Sequence, residues 1–136
     1  MLSGRVQVEK TVWAEFRPGF DVEVRYLTRQ KQSALFNDCQ RRTWDAGAGR
    51  ETATLDPAKF RRALAEQVVA GWRGLTAAAL REIVLIDDYP DDVPFSAEDC
   101  VWLLEQSSEF ENWVQTVATH AALYHAERRA AETKNS

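Results

Sequence analysis

Histidine, cysteine and methionine are scarce in this chain of 136 residues, with two, two and one respectively, and glycine and proline total only six and four. Each shortage excludes something. Cys39 and Cys100 stand alone, without a CxxC partner, so neither a disulfide framework nor a cysteine-rich zinc site is available and both thiols are expected reduced and buried. His120 and His125 are five apart, about 140° from each other on a helix, whereas a zinc pair needs the i, i+4 spacing. The run DDYPDDVP has four carboxylates but lacks the glycine and the alternating acids of a calcium loop. No GxGxxG, Walker, HExxH or Ser-His-Asp arrangement occurs. The expectation is a protein that is not an enzyme, with no catalytic residues, no metal and no cofactor.

Long apolar runs are also missing. None approaches the roughly 18 residues that cross a bilayer, and MLSGRVQVEK has no apolar core of signal-peptide length. A soluble, intracellular protein without a membrane partner is expected. Low glycine and proline, with 45% hydrophobic residues, argue for a folded chain. Its length suits one domain, over residues 1–130, with a flexible tail at 131–136.

Basic residues are short in one half. Residues 1–75 carry 13 Lys or Arg against 9 Asp or Glu, and residues 76–136 carry 4 against 12. Nothing basic lies between Arg81 and Arg128. Such a surface repels phosphate backbones, and Arg41-Arg42 and Arg61-Arg62 are too short and too interleaved with acids to bind nucleic acid. A basic half beside an acidic half is instead self-complementary. A homo-oligomer is expected, with Asp87, Asp88, Asp91 and Asp92 as candidate self-association residues.

What is present is ordered amphipathic patterning. Phe20, Val22, Val24 and Tyr26 alternate with polar residues, TVWAEF alternates more weakly, and Arg17-Pro18-Gly19 supplies a turn between them. A β-hairpin over about 11–26 follows, with an edge strand possible at 5–9. Thr28 caps a predicted helix over about 28–43, and TWDAGAGRETAT reads as a loop with a short extended piece near Thr52. Asp56-Pro57 opens a helix over about 57–73 with Phe60, Leu64, Val68 and Trp72 on one stripe. TAAALREIVLI suggests a short helix. Ser96 with Asp99 and Ser108 with Glu111 resemble capping boxes for helices over about 97–105 and 108–128, the last lining up Phe110, Trp113, Val114, Val117, Ala121 and Tyr124. The fold class is therefore α+β and mainly α-helical, an N-terminal β-hairpin or small antiparallel sheet packed with four to five helices.

The stretch Gly71-Trp72-Arg73-Gly74 reads as structural. On the predicted helix Gly71 falls inside the buried stripe, where a missing side chain admits a neighbouring backbone. Trp72 extends the stripe, Arg73 favours the dipole's negative end, and Gly74 is the αL residue of a C-cap. A phosphate loop is excluded, because no strand precedes it and no helix N-terminus follows.

Five tryptophans are many for this length. Trp102 lies opposite the Cys100, Leu103, Leu104 face of its helix, which calls for a second intramolecular neighbour or a protein partner. Trp102, Trp113, Val114, Val117 and Tyr124 are the candidate partner-binding residues. The ordered series FDVEVRYLTR, LDPAKFRRALAEQVVAGWRGL and YPDDVPFSAEDCVWLLEQSSEFENWVQTVA resembles the tail assembly chaperones of long-tailed phages and prophages over most of the chain. That resemblance implies a mainly helical, non-enzymatic protein of the bacterial host's cytoplasm. It also implies binding and solubilising of the apolar-rich tape measure protein, recruitment of the tail tube protein, and absence from the finished virion. A structural tail component and a small regulatory or inhibitor protein with a globular partner are the rival readings.

Overall fold

A computed structural model describes residues 10–125. The suggested edge strand at 5–9, the end of the last helix beyond 125 and the tail at 131–136 lie outside the described residues. The fold is α+β, as expected, with antiparallel sheets of three and two strands among the helices.

Strands β1 (Thr11–Arg17) and β2 (Phe20–Arg25) form the predicted hairpin, and Gly19 takes φ +82° at its turn. Alternation does what it promises. Phe20, Val22 and Val24 are fully buried, and Val12 and Phe16 join them from β1. Helix α1 (Arg29–Asp38) starts where Thr28 accepts a hydrogen bond from the Lys31 N–H.

The predicted helix over 28–43 stops at Asp38, and residues 40–43 belong to a second hairpin. Strands β3 (Gln40–Asp45) and β4 (Arg50–Leu55) pair antiparallel where a loop was expected. Local chemistry explains it. Asp45 Oδ1 accepts from the Gly47 and Ala48 N–H groups at 3.0 and 3.2 Å, Gly49 adopts φ +64°, and the Thr43 and Thr52 hydroxyls meet across the ladder at 3.3 Å.

The predicted helix over 57–73 divides into three. Asp56 caps α2 (Pro57–Ala63) as read, a π-helical turn follows at Leu64–Val68, and the chain then extends into β5 (Val69–Arg73), which pairs with β2. β5 supplies the partner that the second edge of β2 needs. Val24 faces Val69 and Val22 faces Trp72, so Ala70 is an extra residue on β5. This bulge lets residues three apart turn to one face of a strand, and both Val69 and Trp72 are buried. Spacing that looked helical is thus met by a bulged strand.

Helix α3 (Ala77–Ile83) is capped by Thr76, and α4 (Ala97–Gln106) by Ser96. Helix α5 (Ser108–Thr119) is capped by Ser107, one residue before the expected Ser108, through the Phe110 N–H. Glu111 instead pairs with Arg61 at 2.8 Å, joining α5 to α2. The helical path breaks at His120 and resumes at residues 121–125, so Ala121 is exposed while Tyr124 is buried, its hydroxyl donating to the Val24 carbonyl. The core lies between the three-stranded sheet and α2, α4 and α5. At its centre Phe110 packs with Phe16, Phe20 and Trp113 at ring distances of 5.1–6.2 Å.

Candidate partner-binding surface

Helix α4 has two apolar sides because it has two neighbours. Cys100, Leu103 and Leu104 enter the core, and Trp102, half-buried, lines a cleft of about 250 Å³. Leu75, Leu80, Ile86, Pro90, Val93 and Leu103 complete the lining, with Asp99 as the single charged member. One wall is the segment 84–93, which belongs to no helix or strand; it is fastened at its start by the Val84 N–H, which donates to the Leu80 carbonyl at 3.0 Å, and at its end by two bonds around an isolated Thr76–Asp92 bridge. The Val93 N–H donates to the Leu75 carbonyl at 3.0 Å and the Ala77 N–H to that of Asp91 at 3.2 Å. The Tyr89 hydroxyl donates to the Val84 carbonyl and accepts from the Ile86 N–H. These bonds satisfy backbone groups that lie outside the named strands and helices. Leu85, beside Ile86 in the same segment, is 97% exposed.

Trp72 braces this wall from behind: its indole N–H donates to the Val93 carbonyl at 2.8 Å, and its ring meets Phe95 edge-on at 5.0 Å. The other residues of GWRG need correction. Gly71 is a strand residue opposite Glu23, and a Cβ there would find only Glu23 Oε1, at 3.9 Å. Close backbone approach belongs to Gly74. It has φ +80°, ends β5 rather than a helix, and lies against the Gly19 carbonyl so tightly that a Cβ would collide with it. Arg73 serves no helix dipole; it pairs with Asp21 at 3.2 Å and lies over the Trp13 ring at 4.3 Å.

The candidate partner-binding residues separate. Val114, Val117 and Tyr124 are buried in the core, where contacts within the chain occupy them. Trp113 is half-buried against Phe16 and Phe110; the Arg17 guanidinium lies over the Phe16 ring at 4.2 Å and pairs with Glu109 at 2.7 Å. Trp102 lines the cleft described above. Asp87, Asp88, Asp91 and Asp92 are all exposed on the 84–93 segment beside it.

Two features escaped sequence reading. Trp44 is 69% exposed on β3, and Leu55, on β4, is 40% exposed. Threonines and a tryptophan flanking AGAG were the available hairpin signal. The exposure of Leu85 left none, since IVLI reads as core.

The two thiols are both shifted away from the thiolate. Burial pushes the Cys100 thiol up to about 12. Cys39 borders a groove of about 430 Å³ whose charged residues are mixed in sign, Asp38 and Glu66 with Lys59 and Arg62. Its thiol is raised by desolvation first and by Asp38 second, the reverse of an activated nucleophile. Among the described residues no group of three or more His, Cys, Asp or Glu is placed to hold a metal ion, and no helix is long and apolar enough to cross a membrane.

Fold and surface together define a small α+β domain with an open apolar cleft, an acidic rim and a free-standing hairpin. Residues 26–135 match the YdaY prophage protein family, and the chain belongs to that family, which makes it a prophage protein. The match covers both the cleft and the β3–β4 hairpin. No curated protein and no solved structure matches the chain.

Proposed function

We propose that this prophage protein is a tail assembly chaperone, which binds the tape measure protein, keeps it soluble and recruits tail tube subunits in the host cytoplasm. It acts by binding and not by catalysis. The observation that carries the reading is the Trp102 cleft, an open apolar site with one charged side chain and the exposed Leu85 nearby. A long apolar-rich client needs a site that tolerates many sequences, and a tryptophan-lined groove accepts apolar helical segments without demanding particular hydrogen bonds. Membership of a prophage family and the likeness to tail assembly chaperones from FDVEVRYLTR onward supply the context.

Coexpression with the tape measure protein of the same prophage tests it. The expected result is a higher soluble yield of the tape measure protein and its recovery with the chaperone, both reduced by Trp102→Ala. No recovery and no gain in solubility would refute the reading, and finding the protein in purified particles would make it a structural tail component.

A further inference from the structure

The β3–β4 hairpin stands away from the core. Of its strand residues only Gln40 and Thr52 are even partly covered. A lone two-stranded hairpin is marginally stable in water, and further strands would stabilise it. Its edges are built to accept them. In the three-stranded sheet both edge strands are bulged, β1 at Phe16 and β5 at Ala70, which is one way a sheet blocks pairing with another chain. The β3–β4 ladder runs from Gln40–Leu55 to Asp45–Arg50 without a bulge, and neither strand contains proline.

Backbone alternation decides what β3 offers at its free edge. The Cys39 carbonyl accepts from the Asp56 N–H at 2.8 Å, and the Arg41 and Thr43 carbonyls meet the Thr54 and Thr52 hydroxyls. Odd-numbered residues therefore turn their main chain toward β4, and Gln40, Arg42 and Trp44 turn theirs outward. We propose that this edge pairs antiparallel with the same edge of a second copy of the chain, with Thr43 facing its counterpart on a two-fold axis, so that two hairpins join into one four-stranded sheet. In that register Arg42 of one copy and Trp44 of the other exchange both main-chain hydrogen bonds. The side chains are complementary on both faces. On one, Arg41 lies against Asp45 of the second copy, and the Thr43–Thr52 contact of 3.3 Å continues across the axis as a row of threonines. On the other, Arg42 lies beside the second copy's Trp44, which is exposed in the single chain, and a guanidinium is attracted to an indole face. Neither Arg41 nor Arg42 pairs with a carboxylate among the described residues. Other registers lose the match: a slide of two residues one way sets Arg42 against Arg42, and the other way carries Arg41 past the end of the partner strand. The β4 edge is poorer, because against its own copy Arg50 meets a carboxylate only at Asp56, which already caps α2. An isologous contact of this kind closes at a dimer. The pairing rests on the register of β3 and not on the chaperone reading.

Disulfide trapping and sedimentation velocity on the full chain, with no client present, test the pairing separately from chaperone function. Facing threonines on the axis form a non-hydrogen-bonded pair with Cα atoms about 4.5 Å apart, within reach of a disulfide. Thr43→Cys treated with oxidised glutathione should therefore become a covalent dimer that a reductant reverses, while Cys39 and Cys100 are buried. Thr52→Cys, one strand further from the axis, should not. Wild type should sediment as a monomer–dimer equilibrium with nothing larger. Arg42→Pro removes an outward N–H that no bond within the hairpin uses, so it should leave the circular dichroism unchanged and abolish the dimer. Arg41→Glu, which sets like charges opposite each other at both ends of the ladder, should weaken association roughly tenfold. Wild type that stays monomeric up to about 1 mM, Arg42→Pro that dimerises like wild type, or linkage of Thr52→Cys in place of Thr43→Cys would each overturn the proposal.

Discussion

A single methyl group added at each of three glycines separates backbone strain from steric collision. Gly19 has φ +82° and nothing within 4 Å of a notional Cβ; Gly74 has φ +80° and faces the Gly19 carbonyl, its carbon 3.0 Å from that Cβ; Gly71 has neither problem. Holding an alanine in left-handed backbone costs about 1–2 kcal/mol, so Gly19→Ala should lose about that much. Gly74→Ala bears the same strain and also a collision with main chain. Only moving the β1–β2 turn away from the end of β5 relieves it, and the expected total exceeds ~3 kcal/mol. Gly71→Ala should be neutral or stabilising by up to about 1 kcal/mol, because alanine restricts the unfolded chain. Thermal unfolding followed by circular dichroism reads the series, each kcal/mol shifting Tm by roughly 4 °C at this chain length. Gly74→Ala no worse than Gly19→Ala would show that the turn does not rest on Gly74. A loss above about 2 kcal/mol at Gly71 would return that residue to a close contact and refute its place in β5.

Three further outcomes are expected. Burial raises the Cys100 thiol from 9.0 to about 12, so above pH 9 the unfolded chain releases a proton that the native state keeps. This contribution to stability is complete below pH 9 and falls by about 1.4 kcal/mol per pH unit up to about pH 12. Urea titrations at stepped pH should show the slope, and Cys100→Ala should reduce it; Tyr124, also raised by burial, adds its own loss above pH 10.0. A double-mutant cycle on Arg61 and Glu111, 30% and 18% exposed, should give a coupling of about 1–2 kcal/mol. The same cycle on Arg17 and Glu109, with Glu109 69% exposed, should give less than about 1 kcal/mol. Leu85→Ser should leave unfolding within about 0.5 kcal/mol of wild type yet lower the recovery of tape measure protein in pull-downs.

Where neighbouring residues settle a structure among themselves, the sequence determined it. Thr28, Asp56 and Ser96 cap helices because each hydroxyl or carboxylate reaches an N–H two or three residues on. The β1–β2 hairpin follows from period-two alternation and a Pro-Gly turn, both written within sixteen residues of chain. The acidic 84–93 segment was legible for the same reason, and Trp102's second apolar side was visible as a residue out of phase with its helix. Tertiary structure decided what periodicity leaves ambiguous. Val68, Val69 and Trp72 satisfy a helical stripe, but β2 offered an edge of unpaired backbone groups, and closing that ladder outweighed extending the helix; a bulge at Ala70 reconciled the spacing. Burial of Val114, Val117 and Tyr124 was likewise settled by what packs against α5, since an apolar face looks the same whether its neighbour is the chain itself or a partner. Gly74 meets Gly19 across 55 positions of sequence, a contact made only when β5 joins the sheet, because collision between distant backbones is a property of the assembled fold.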